Sequence, residues 1–224
     1  DRLVVFEPGT TDVGEGLGLA ESWEISEDGL TYTFHLKPGV EFHTTNYFTP
    51  TRTLNADDVI FSFMRQSDES SPWYQYTPGI SWEYYNAMSM PDLVESIEKV
   101  DDLTVAFHLT RPEAPFLANM GMDFASIVSK EYADQLEAAG NMVQFNQMPI
   151  GTGPFEFVAY QPDATIRYSR FDDFWGTPAG VESLIFSITV DASVRAQKLI
   201  AGECDVMAYP NPADIAMLQA NPNI

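Results

Sequence analysis

Residues 21–36 constrain the fold more than any other stretch of the chain. They read Glu-Ser-Trp-Glu-Ile-Ser-Glu-Asp-Gly-Leu-Thr-Tyr-Thr-Phe-His-Leu. Trp23 and Ile25 alternate with polar neighbours, and Ser26–Gly29 supplies turn chemistry. Tyr32, Phe34 and Leu36 then alternate with Thr31, Thr33 and His35. Period two on both sides of an Asp-Gly turn specifies an antiparallel hairpin with one buried face. Lys37, Pro38 and Gly39 make a second turn, after which Val40 and Phe42 are expected to continue the sheet.

Helical signals follow. Asn55 is placed as an N-cap, and Asp57 and Asp58 suit the first turn of a helix, where backbone N–H groups favour negative charge. Val59, Ile60, Phe63 and Met64 form its apolar stripe. Pro91 predicts a helix start, with Leu93, Val94 and Ile97 facing inward. Leu103, Val105, Phe107 and Leu109 alternate as a strand. A helix is predicted over 129–139, ending at Gly140. Beyond residue 150 the pattern changes. A hairpin is predicted over 155–160 and 165–170, a strand over 184–190 and a helix from Asp191. A short strand over 205–209 and a last helix opened by Asn211 and Pro212 complete the chain, which suggests a βαβ-type unit. The expected fold is mixed α/β: residues 1–150 as meander sheet plus helices, and 151–224 as part of an α/β unit.

Charge removes whole classes of function. Eleven Lys and Arg stand against 33 Asp and Glu, a formal net charge of −22. Nucleic acid is repelled by such a surface, as is an anionic membrane. A solvated acidic surface keeps a protein soluble, and a monomer is expected. No run of 18 apolar residues is present to cross a bilayer. No signal peptide opens the chain, and Arg2–Phe6 already reads as a strand, so the sequence is expected to be a piece of a longer one.

Catalytic and metal-binding patterns are hard to find. His35, His43 and His108 show no metal-ligand spacing, and no Cys/His cluster exists. There is no Gly-x-Ser-x-Gly elbow. Gly14–Gly18 has the wrong spacing for a phosphate loop and leads into a strand. The pairs Asp57/Asp58, Asp101/Asp102 and Asp172/Asp173 sit at helix starts or turns, where capping explains them. Cys204 is the one cysteine. It reads either as a small buried hydrophobe or as half of a disulfide whose partner lies outside the segment. The unusual feature is the stretch 71–86, which carries Trp73, Tyr74, Tyr76, Trp82, Tyr84 and Tyr85. Aromatic side chains with polar tips on a loop either pack onto a sheet or line a ligand cleft.

These motifs resemble the family 5 extracellular solute-binding proteins. The resemblance is carried by residues 19–43, by 54–63 (Leu-Asn-Ala-Asp-Asp-Val-Ile-Phe-Ser-Phe), by 150–155 (Ile-Gly-Thr-Gly-Pro-Phe), by Phe174-Trp-Gly176, by 191–195 with Leu199, and by 202–206. Within the family, residues 111–116, 122–126 and 209–214 look like the members that take dipeptides. The resemblance implies a fragment of lobe I of a periplasmic-binding-protein-like clamp. Residues 1–150 would be subdomain Ib-like, 151–224 part of subdomain Ia, and lobe II would lie outside the chain. It implies capture of dipeptides or short peptides in the periplasm and delivery to an ABC permease in the inner membrane. It implies no catalysis, no metal and no cofactor; relatives of the same fold bind haem, glutathione or nickel instead. The cleft-facing candidates it implies are Trp82, Tyr84, Tyr85, Met122, Asp123 and Phe124. It pairs Cys204 with a cysteine in a segment preceding this one. The Asp and Arg that hold a peptide's ends would come from lobe II.

Overall fold

A computed structural model describes residues 1–222 and 224. The chain divides into two compact units. One comprises 1–156 with 171–180, the other 157–170 with 181–224.

In the first unit, β1 (Val5–Phe6) and β2 (Val13–Gly14) form a short antiparallel pair. The predicted hairpin is β3 (Ala20–Ile25) and β4 (Thr31–Leu36), antiparallel, with Trp23 opposite Phe34 and Ile25 opposite Tyr32. Its turn is held by Asp28, whose Oδ1 accepts from Ser26 Oγ at 2.6 Å and from Leu30 N at 3.1 Å. Gly29 takes φ +69°, a conformation without penalty only for glycine. Tyr32, Phe34 and Leu36 are buried, as the alternation requires. Val40 and Phe42 are buried too, but they do not extend the sheet. They lie outside any strand, and the Val40 carbonyl accepts from Leu54 N in a loop contact. Burial alone selected these two positions, and no neighbouring strand is there to make them part of the sheet.

Helix α1 (Ala56–Ser67) begins with the capping box that Asn55 and Asp58 announce. Val59 and Phe63 are fully buried, while Met64, at the margin of the stripe, is exposed. Two short helices follow in the aromatic segment, α2 (Glu83–Ala87) and α3 (Met90–Leu93). The helix expected from Pro91 lasts only this one turn. From Val94 the chain becomes β5 (Val94–Asp101), antiparallel to β6 (Thr104–Leu109). The reason is a register shift between Val94 and Ser96. A bulge inserts an extra residue and reverses the inward/outward parity, so Val94 and Ile97 both pack toward the core despite their spacing of three. That spacing imitates a helical stripe. The finished sheet has the order β3-β4-β6-β5. Phe107 on β6 packs edge-on against Phe34 (5.6 Å) and against Phe63 of α1 (5.0 Å), which fixes the helix on the sheet.

Beyond the sheet come α4 (Phe116–Met120), a 3-10 turn at Asp123–Ala125, α5 (Lys130–Ala138) and α6 (Gln144–Gln147). The predicted ends of α5 hold. Ser129 Oγ accepts from Tyr132 N at 3.1 Å, and Gly140 takes φ +65°.

From Phe157 onward, the second unit carries a sheet of β7 (Phe155–Gln161), β8 (Thr165–Arg170) and β9 (Ser183–Ser187) in that order, with β9 antiparallel to β8. Helix α7 (Ala192–Ile200) is capped by Asp191, whose Oδ1 accepts from Val194 N. A 3-10 turn at Pro212–Asp214 leads into α8 (Ile215–Gln219). The expected βαβ unit is not formed. Residues 205–209 make no strand, Tyr209 adopts φ +53°, and its carbonyl accepts from Arg195 Nη2 at 3.0 Å. A strand exists only through its ladder partner, and among the described residues this segment has none. The mixed α/β architecture with antiparallel sheets is as the sequence reading has it.

Candidate functional site

The C-terminal half of α1 is the platform for the aromatic segment. Ser62, buried, donates to the Asp58 carbonyl at 2.6 Å and accepts from Val128 N at 2.9 Å. Gln66 Nε2 donates to the Phe124 carbonyl at 2.9 Å. One helix face thereby holds the chain around 124–128. The neighbouring face carries Phe61 and Arg65, one turn apart. Phe61 packs edge-on against Trp73, which with Tyr76 and Phe145 makes a cluster of rings. Trp73 Nε1 donates to Glu137 at 2.9 Å, and Tyr76 Oη donates to Asn146 Oδ1 at 2.5 Å. Large rings whose polar tips are satisfied can be buried without an unpaired donor. This part of the stretch 71–86 therefore packs inward.

The six candidate residues separate by exposure. Tyr85 is 1% exposed and edge-on to Phe124 at 6.0 Å; burial raises its hydroxyl pKa. Its ring belongs to the core, and its contact with Phe124 joins the segment 82–87 to the segment 122–125. Tyr84, its neighbour, is 62% exposed. Trp82 is half-buried, packed against the core on one side, with Nε1 donating to the Tyr74 carbonyl at 3.1 Å. Met122 and Phe124 are half-buried. The Asp123 carboxylate is open to solvent and pairs with Arg2 Nη1 at 2.8 Å; the same nitrogen donates to the Gly121 carbonyl. Of the six, the structure brings Tyr85 and Phe124 into direct contact, which joins the segment around 82–87 to the segment around 122–125. Arg65, which lies over the Trp82 ring, and Phe145, whose ring Arg65 also meets, are absent from the candidates read from sequence. Arg65 was legible in principle, being one turn beyond Phe61 on α1; nothing local marks Phe145.

The histidines have structural partners. His35 meets Glu24 at 3.4 Å and His108 meets Glu98 at 3.2 Å. His43 is buried. Its Nε2 donates to the Gly153 carbonyl at 2.8 Å and its Nδ1 accepts from Gly151 N at 3.3 Å. Among the described residues no group of three His, Cys, Asp or Glu side chains is placed to hold a metal ion. Cys204 is a free, half-buried thiol in the second unit.

Residues 16–224 match the family described as bacterial extracellular solute-binding proteins, family 5 Middle, and the chain belongs to that family. It is 55% identical to the dipeptide-binding protein of Escherichia coli (strain K12), with all of this chain covering 41% of that protein. It is 48% identical to heme-binding protein A of Haemophilus influenzae, again over the whole chain and 40% of the relative. The solved dipeptide-binding protein of Pseudoalteromonas sp. SM9913, in complex with Met-Leu, superposes with a TM-score of 0.93 at 40% identity, over 99% of this chain and 43% of that one. The chain therefore spans about two fifths of the length of these relatives.

Proposed function

We propose that the chain is part of the solute-binding component of a bacterial ABC importer, capturing dipeptides or short peptides in the periplasm and handing them to the membrane permease. The observation that carries this reading is identity of 55% along the whole chain with a dipeptide-binding protein. No helix among the described residues is long and apolar enough to cross a membrane, which suits a periplasmic partner of a membrane permease. Capture is a population shift: ligand favours the closed clamp because only there does it touch both lobes. On this reading residues 1–150 belong to subdomain Ib and 151–224 to subdomain Ia. Trp82, Tyr84, Met122, Asp123 and Phe124 face the cleft, with Tyr85 supporting them from inside. The charges that hold a peptide's ends come from the other lobe, so residues 1–224 alone bind peptide weakly. Cys204 closes a disulfide with a preceding segment, so thiol titration of the full-length protein finds Cys204 blocked.

A haem-binding reading is favoured by the 48% identity to heme-binding protein A. Isothermal titration of the full-length protein with Met-Leu and with haem separates the two. Saturable dipeptide binding is expected, and haem binding without any dipeptide binding would overturn the peptide reading.

A further inference from the structure

Arg2, Arg52, Lys99, Arg111 and Lys130 each take a carboxylate. Lys37 and Arg195 take backbone carbonyls instead, whereas Arg65, among the described residues, takes neither a carboxylate nor a carbonyl. Its one hydrogen bond among the described residues runs from Nη1 to Tyr76 Oη at 3.5 Å, and its buried Nε has no partner. Two rings flank it instead. The guanidinium carbon lies 5.1 Å from the centroid of Trp82 and 5.5 Å from that of Phe145. Burial lowers the pKa of this guanidinium, so the contact with the rings must offset a real desolvation cost.

The contact acts on the indole as well. Trp82 is held at its edge by the Tyr74 carbonyl, through Nε1 at 3.1 Å, and across its face by Arg65. A hydrogen bond at one edge leaves a planar ring free to rock about that bond, and a planar cation against the face removes that freedom. The support is itself rigid. Arg65 stands in the last turn of α1, whose N-terminus is capped, and Phe145 packs against Trp73 and Tyr132. We propose that Arg65 is the positioning residue for Trp82, fixing the indole as one wall of the ligand cleft and thereby contributing to affinity without touching the ligand. This rests on the reading of Trp82 as a cleft residue.

A double-mutant cycle in the full-length protein tests it, with the dissociation constant for Met-Leu measured by calorimetry. R65M is expected to weaken binding about 3- to 10-fold, the range of a partly desolvated cation–π contact. R65K should restore part of the loss, since an ammonium supplies the charge without the stacking plane. In a W82A background R65M should change the constant less than about 1.5-fold, because the group it positions is gone. A merely structural role would give the same loss in both backgrounds, and that result overturns the proposal. So does unchanged affinity in R65M when W82A weakens binding. Unchanged affinity in W82A itself removes the cleft reading of Trp82, and the inference with it, in an arm where Arg65 takes no part. If R65M does not fold, the same cycle is read with R65K.

Discussion

Arg52 grips both carboxylate oxygens of Asp58, at 2.6 and 2.9 Å, while the Asp58 side chain is wholly shielded from solvent. The same carboxylate accepts from Asn55 N at 3.0 Å and from Lys130 N at 2.8 Å. It therefore caps α1, ties in the start of α5 and neutralises Arg52 at once. Four donors converge on one buried anion, and no water is needed to satisfy it.

Replacing Asp58 with Asn removes the charge and turns one acceptor into a donor facing donors. The expected loss is about 3 kcal/mol of unfolding free energy. Urea denaturation of the Asp58→Asn variant checks this; a loss below about 1 kcal/mol would mean that the network is dispensable.

His43 makes the fold sensitive to acid. Burial, above all, lowers its pKa from 6.5 to about 4, against the opposing effect of the hydrogen bond to Gly153. Geometry gives the same direction. Nε2–H already donates to Gly153, and Nδ1 accepts from Gly151 N–H, so a second ring proton would point at a donor. The unfolded state binds the proton at higher pH than the folded state does. Stability is therefore intact above about pH 6.5 and falls as the pH drops from there toward 4, by up to about 3 kcal/mol. Denaturation of the wild type and of His43→Gln at several pH values between 7 and 4 should show a shallower acid loss in the variant. Parallel profiles would rule out His43 as the source.

Phe107 joins three rings, those of Phe34, Phe63 and Phe116, and is fully buried. Phe107→Ala opens a cavity between helix and sheet and should cost about 3–5 kcal/mol. Thermal melting of the variant is the measurement. A small shift would mean that the sheet and α1 collapse onto each other to refill the space.

Ser89 closes the aromatic segment with φ +55°, a left-handed conformation that strains residues with a Cβ. Its carbonyl accepts from Leu93 N at 3.0 Å, which holds it there at the start of α3. Ser89→Gly removes the strain and should raise stability by about 0.5 kcal/mol after the extra freedom of glycine in the unfolded chain is subtracted. A lower urea midpoint in the variant would contradict this.

Much of the fold was legible because its signals are local. The hairpin of β3 and β4 needs only alternation and an Asp-Gly turn. Helix α1 needs only Asn55 and Asp58 three residues apart, and α5 only Ser129 and Gly140. The candidate site was legible as a neighbourhood, since aromatic residues concentrate between 71 and 86 and the family resemblance points to 122–124. Which ring turns inward was not legible. Tyr84 and Tyr85 are adjacent and chemically identical, and only tertiary packing, in which Tyr85 meets Phe124, makes Tyr85 the buried one.

The sequence by itself determined the mixed α/β class, the hairpin, the capped helices and the family. These follow from side-chain period, turn chemistry and capping, all of which act within a few residues. Tertiary structure alone decided that residues 94–101 form a strand, because a bulge opposite β6 reverses the parity that sequence spacing relies on. It alone left residues 205–209 outside any strand, because a ladder needs a partner. It alone set Arg65 against Trp82 and Phe145. Those contacts join residues far apart in the chain, and their energies come from packing and desolvation, which no local pattern encodes.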